Sequence, residues 1–211
     1  MTLAGRAKKP YAARLPAAER REQLLDAALA IALARGFHAV TIDGVAKAAG
    51  VTRPVVYGVY SDRAALLQAL ADRSERRALA QLDAIFPAAP GPGDEVDPDE
   101  LLLAGVTAYL SAVRDNPQDW TVILLPPEGA PGEMQARAHA HRRLLLGQLP
   151  TLSDWGLARR GGPAGVDPDL LARAVFTLAE GAARLLLVDP GRWQVEAFRD
   201  FTRAVLAGLR A

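Results

Sequence analysis

Residues 41–63 read TIDGVAKAAGVTRPVVYGVYSDR, and their spacing decides the fold. Thr41 is an N-cap candidate for a short helix over Ile42–Ala49. Gly50 breaks that helix at a point where a left-handed backbone angle is needed. Thr52 can cap a second short helix from Arg53 to about Val59, with Pro54 tolerated in the first turn. Ala46 is small where the two helices cross. Val45, Val51, Val56 and Val59 are apolar at inward positions. Together these offsets make a helix-turn-helix pattern. The outward side of its second helix carries Thr52, Arg53, Pro54, Val55, Tyr57 and Gly58.

Upstream, Ala17 to Arg35 has helical periodicity. Leu24, Ala28 and Ile31 share one face, with Leu25, Leu29 and Ala32 beside it. Gly36 is the expected end, and Phe37 and Val40 return to the core. Residues 1–16 are basic, contain Pro10 and Pro16, and read as a flexible arm. Downstream, Ser61 or Asp62 caps a longer helix to about Phe86.

The stretch PAAPGPGDEVDPD at 87–99 is a linker that ends in a helix start, with Asp97 as N-cap and Pro98 at N1. The helix it opens runs to about Asp115, where Asn116-Pro117 stops it. Further helices are expected around Trp120–Leu125 and Gly132–Leu149. A loop is expected over 156–166. Asp167-Pro168-Asp169 repeats the start signal for a helix to about Val188, and a last helix reaches Leu209. No segment alternates like a strand. The chain is therefore read as all-α, with an arm at 1–16, a helix-turn-helix domain at 17–63, a connecting helix at 64–86 and a helical domain at 87–211.

Charge divides along the same line. Residues 1–63 hold ten Lys/Arg and five Asp/Glu, net +5, whereas the remainder is net −4. A basic head on an acidic body fits a polyanionic partner for the head. There is no cysteine, which excludes disulfides and thiolate metal sites. The N-terminus has no apolar run of the secretory kind, and no uncharged apolar run reaches the ~18 residues of a membrane span. A cytoplasmic protein without membrane contact is expected.

The head resembles the TetR family of bacterial repressors. The matches are the first helix ending in Gly36-Phe37, Thr41 opening the second, AKAAGV at 46–51, Val56-Tyr57, aromatic Tyr60, and Arg63 before Ala65-Leu66-Leu67. They cover about residues 20–70. Two departures stand out. Gly58 occupies a position where the family often has histidine or an aromatic residue, and Gly44 weakens the second helix.

The resemblance implies roles for individual residues. Thr41, Lys47, Tyr57 and Arg63 match phosphate-contacting positions, which set register and affinity. Thr52, Arg53, Pro54 and Val55 match positions near base edges, where Arg53 suits bidentate pairing with guanine. Arg6, Lys8, Lys9 and Arg14 would follow the backbone or minor groove.

The last two helices carry apolar stripes. One runs through Leu171, Val175, Leu178, Ala182 and Leu185, flanked by Ala174 and Gly181. The other runs through Phe198, Phe201, Val205 and Leu209, flanked by Ala204 and Gly208. By resemblance these stripes form a four-helix dimer seam. An inducer pocket would lie among the middle helices, with Tyr109, Trp120, Leu124, Met134, His139 and Phe176 as candidates.

Catalytic signals are poor. His139 and His141 are two apart on a helix and do not share a face. No nucleophile–base pair, P-loop or metal-ligand spacing is present, so no enzyme, cofactor or metal is expected. The acids from Asp94 to Glu100 fit a linker and helix start. The reading is a homodimeric, ligand-responsive repressor of a pseudo-palindromic double-stranded DNA operator, with an apolar or amphipathic small-molecule inducer. The alternative is an activator or a ligand-independent DNA binder.

Overall fold

The computed structural model describes residues 15–85, 95–125, 147, 149–161 and 165–208. Every regular element among them is helical. The chain divides into two compact units, Met1–Leu70 and Ala71–Ala211. The division falls inside the long helix, seven residues beyond the end expected for the head.

In the first unit, α1 spans Ala17–Arg35, a 3₁₀ turn spans Phe37–Ala39, α2 spans Ile42–Ala48, α3 spans Arg53–Tyr57, and α4 begins at Arg63 and runs on to Ile85 in the second unit. α1 buries Leu24, Leu25, Ala28, Leu29, Ile31 and Ala32, the face its periodicity marks out. Gly36 ends it at φ 82°, with its N–H on the Ala32 carbonyl at 2.8 Å. Val45, Val56, Leu66, Leu67 and Leu70 complete a core with Phe37 and Val40.

One local expectation shifts, and one open alternative resolves. α3 stops at Tyr57, and Gly58 closes it by donating to the Pro54 carbonyl at 2.9 Å. The chain then turns so that Tyr60 is buried. Asp62, not Ser61, caps α4, its Oδ1 accepting from the Ala65 N–H at 2.8 Å.

The second unit holds the rest of α4, then α5 at Pro98–Asp115, α6 at Pro117–Leu124, α7 over 149–160, α8 at Pro168–Val188 and α9 at Val195–Gly208. Asp97 and Asp167 cap α5 and α8, each accepting the N–H two residues on at 2.8 Å. α6 begins earlier than expected. Pro117 lacks only an N–H that a first turn leaves unpaired, so the proline that stops α5 also starts α6.

α7 extends through residues read as loop. Its end is tied down by Arg160, whose Nε lies 3.1 Å from Asp99 and whose guanidinium donates to the Leu206 carbonyl at 2.6 Å. The turn follows at Gly161, φ 77°.

α5 is central to this unit and packs on α6, α8 and α9. The core contains Tyr109, Leu110, Val113, Trp120, Leu124, Ala183, Leu186 and Val195. No helix among the described residues is long and apolar enough to cross a membrane. Residues 1–14 of the arm, most of the linker, Met134, His139 and Leu209 lie outside the described residues.

Candidate nucleic-acid interface

α3 is only five residues long, far too short to be stable by itself. Its position comes from packing. Val56 is fully buried beneath it, and α2 buries Val45 and Ala46 alongside. The turn between the helices uses Gly50 at φ 67°, and Val51 donates back to the Ala46 carbonyl at 2.9 Å. Gln23 of α1 donates to the Ala49 carbonyl at 3.0 Å, which satisfies an end of α2 and holds it to α1.

With Val56 inward, Thr52, Arg53, Pro54, Val55 and Tyr57 are all exposed. Tyr57 is 54 % exposed and Tyr60 only 3 %. The two tyrosines therefore divide, one presented to solvent and one in the core, where the Arg21 guanidinium lies 5.4 Å from its ring centre. Thr52 occupies the N-cap position of α3 but makes no capping hydrogen bond there. The Val55 N–H instead bonds the Thr52 carbonyl at 3.0 Å, so the hydroxyl is not used by the helix.

Thr41 does cap. Its Oγ1 accepts from the Gly44 N–H at 3.0 Å. Gly44 was expected to weaken α2, but a Cβ there would stand 3.1 Å from Thr41 Oγ1 and 3.6 Å from Ile31. The glycine gives the capping hydroxyl and α1 room. Lys47 is exposed on the same helix.

Two arginines behave differently. Arg63 sends Nε to the Val40 carbonyl at 2.6 Å and one terminal nitrogen to the Phe37 carbonyl at 2.7 Å. It thus fastens the start of α4 to the 3₁₀ turn. Arg53 forms an exposed ion pair with Asp43 of α2. Neither the Arg63 anchor nor the Asp43 partner was foreseen. Asp43 and Arg53 are ten residues apart, and only the helix crossing brings them together.

In the second unit, Tyr109 and Trp120 meet edge to face, with centroids 5.4 Å apart. Trp120 donates to Gln81 Oε1 at 3.1 Å. Leu124 joins the same core, and Phe176 is half-buried. The expected seam residues separate. Leu178, Phe201 and Val205 are exposed, and Leu171 and Val175 are half-buried. Ala182 faces the core, and Phe198 packs against it while stacking on Trp193 at 5.8 Å. The outer face of α8 instead runs through Leu170, Ala174, Leu178, Gly181, Leu185 and Val188.

Residues 24–70 match the family model of bacterial regulatory proteins, tetR family. The match lies in the head, and TetR-type regulators recur among the relatives and solved structures that resemble this chain. An uncharacterized HTH-type transcriptional regulator of Mycobacterium tuberculosis is 32 % identical over 133 residues, which is 62 % of either chain. The match thus spans less than two thirds of that relative's length.

The TetR fold extends beyond the head. A TetR-like regulator from Rhodococcus sp. RHA1 superposes with a TM-score of 0.70 at 25 % identity, covering 90 % of this chain and 94 % of that one. The AibR regulator, solved with isovaleryl coenzyme A and operator DNA, gives a TM-score of 0.64 at 20 % identity, covering 86 % and 94 %.

Proposed function

We propose that this chain is a homodimeric transcriptional repressor of the TetR type that releases its operator when a small molecule binds the helical body. The observation that carries the reading is the outward row Thr52, Arg53, Pro54, Val55 and Tyr57, fixed over buried Val56. A recognition helix needs this arrangement: a rigid underside, and donors and apolar groups displayed toward base edges. Thr41, Lys47, Tyr57 and Arg63 flank it as phosphate contacts. Arg63 does so with the part of its fork not spent on Val40 and Phe37.

The dimer brings two such helices to successive major grooves. Its seam is the outer faces of α8 and α9. The ligand is apolar or amphipathic, and the body supplies matching chemistry. The Tyr109–Trp120–Leu124 core is bordered by the polar groups of Gln81 and Asn116, 3.3 Å apart. An acyl thioester of coenzyme A combines an apolar chain with a polyanionic head, and the CoA-bound structural neighbour favours that class. Such a ligand shifts the equilibrium only by binding the released state more tightly.

The test of DNA binding is a fluorescence titration with duplex DNA from upstream of the chain's own gene. Affinity should fall steeply with salt as phosphate contacts are screened. Arg53→Ala should lose roughly 1–3 kcal/mol and relax choice at one base pair. Binding that ignores salt, or an unchanged sequence preference in Arg53→Ala, overturns the assignment. For the ligand, acyl-CoAs of graded length should raise the thermal midpoint of the body. No shift at any length argues against that class.

A further inference from the structure

Arg53 does not stand alone on the recognition face. Its Nε is paired with Oδ1 of Asp43, and the side chains are 63 % and 55 % exposed. An ion pair so open to water contributes little to folding. Asp43 lies in the first turn of α2 and Arg53 in the first residue of α3. The crossing that buries Val45, Ala46 and Val56 therefore fixes the distance between them.

We propose that Asp43 is a positioning residue for base reading: it orients Arg53 and determines which edge of the guanidinium meets DNA. This rests on the reading of α3 as the base-contacting helix. With Nε held by the carboxylate of an exposed pair, the edge formed by the two terminal nitrogens is the one this pairing leaves for another acceptor. That edge offers two parallel N–H donors, the geometry that guanine O6 and N7 accept. An unpaired arginine is a flexible cation equally content with a phosphate. The paired one has lost part of that freedom before DNA arrives and carries its counter-charge with it. Asp43 therefore favours the correct base and disfavours indiscriminate binding, without itself touching a base.

The experiment selects sequences from a random duplex pool with the full-length chain, as wild type, Asp43→Asn, Asp43→Glu, Arg53→Ala and the double variant Asp43→Asn/Arg53→Ala. Affinity for the wild-type-selected duplex and for a random duplex is then titrated. Asp43→Asn should relax preference at the same base pair as Arg53→Ala. It should also lower the ratio of selected to random affinity about two- to fivefold, the worth of an exposed ion pair, partly by tightening binding to the random duplex. Asp43→Glu keeps the charge and should retain the preference. In the Arg53→Ala background, removing Asp43 should change sequence choice no further.

A merely structural role for Asp43 would lower affinity for every duplex alike and leave the preferred base in place, which overturns the proposal. So does a change of preference by Asp43→Asn that persists without Arg53, since Asp43 would then read the base itself. If Arg53→Ala relaxes one base pair and Asp43→Asn does not, only this inference is lost. If Arg53→Ala changes no preference, the reading of Arg53 under the proposed function is lost and this one with it.

Discussion

The two units spend their apolar residues differently. In the head, Leu24, Leu25, Phe37, Val40, Val45, Val56, Leu66, Leu67 and Leu70 are all buried, and among the described residues the large exposed apolar side chains are Val55 and Tyr57, both on α3. In the body, Leu170, Leu178, Leu185 and Val188 of α8 and Phe201 and Val205 of α9 remain exposed. A small domain with its core complete and two apolar groups left on one short helix presents a contact surface, not a folding deficit. Among the described residues of the body, several apolar side chains on two long helices stay exposed, which is the kind of patch a partner surface has. Under the proposed function, the difference fits DNA on the head and a second subunit on the body.

The strongest way to break that contrast is to charge the body's uncovered face. Phe201 is 64 % exposed in the single chain, so Phe201→Glu should leave the subunit folded. Across a closed seam the same glutamate would be buried without a partner, which is costly. We expect a monomer by light scattering. Operator affinity should fall about 10²–10⁴-fold, because the second head no longer binds as a tethered neighbour. A wild-type monomer at micromolar concentration that still holds its operator tightly would falsify the seam.

The next test weakens the head without touching α3. Arg63→Ala removes two charge-assisted hydrogen bonds to the carbonyls of Val40 and Phe37. Such bonds are worth about 1.5 kcal/mol or more each, but Arg63 is solvent-exposed, so screening should hold the loss from the head to the order of 2 kcal/mol. Slowed amide exchange in α1 and α2 would be the observable lost. Arg63→Lys separates two roles. Lysine keeps the charge for a phosphate but lacks the rigid fork, so DNA affinity should recover more than stability does. Equal recovery of both would show that the fork is unimportant.

How much of this was legible beforehand depends on range. Helix limits set by neighbouring residues were readable: Gly36 after α1, Asp97-Pro98 before α5, Asp167-Pro168 before α8. So was the inward Val56 with its outward neighbours, because a helix-turn-helix leaves little choice of face. α8 is different. Leu170, Leu171, Val175, Leu178, Ala182, Leu185 and Leu186 surround the helix with apolar groups, and periodicity cannot say which stripe meets α5 and which meets solvent. Ala182 and Leu178 were therefore placed together, although the fold sends them to opposite sides. Phe198 and Phe201 parted for the same reason, since Trp193 captured the first. The Asp43–Arg53 pair and the Arg160 anchor to Asp99 depend on tertiary approach and leave no local signal.

A smaller effect tests the turn that separates the head's two short helices. Gly50 has φ 67° and open space where a Cβ would go. The cost of Gly50→Ala is then backbone strain alone, about 1–2 kcal/mol, with no clash added. Thermal unfolding should show a modest loss in the head and none in the body. A loss of several kcal/mol would mean that the turn packs more closely than this geometry allows.

The smallest expected effect is a pH dependence confined to the head. The Ala65 N–H, donating to Asp62, holds that carboxyl below the usual aspartate range, and Ser61 assists. A group whose folded pKa is depressed contributes stability above its unfolded pKa, roughly 4 for aspartate. That contribution is lost as pH falls through the lower folded value, where the cap becomes protonated. Stability of the head should therefore be flat with respect to this group at neutral pH and should decline at the acid end. Asp62 is solvent-exposed, so the change is slight. Asp62→Asn keeps an acceptor for the Ala65 N–H but cannot titrate. It should retain most of the cap at neutral pH and flatten the acid limb. Asp62→Ala should flatten that limb too, but from a lower starting stability. If the acid limb is equally steep in all three proteins, other carboxylates govern it, and the Asp62 cap is not a measurable part of how α4 begins.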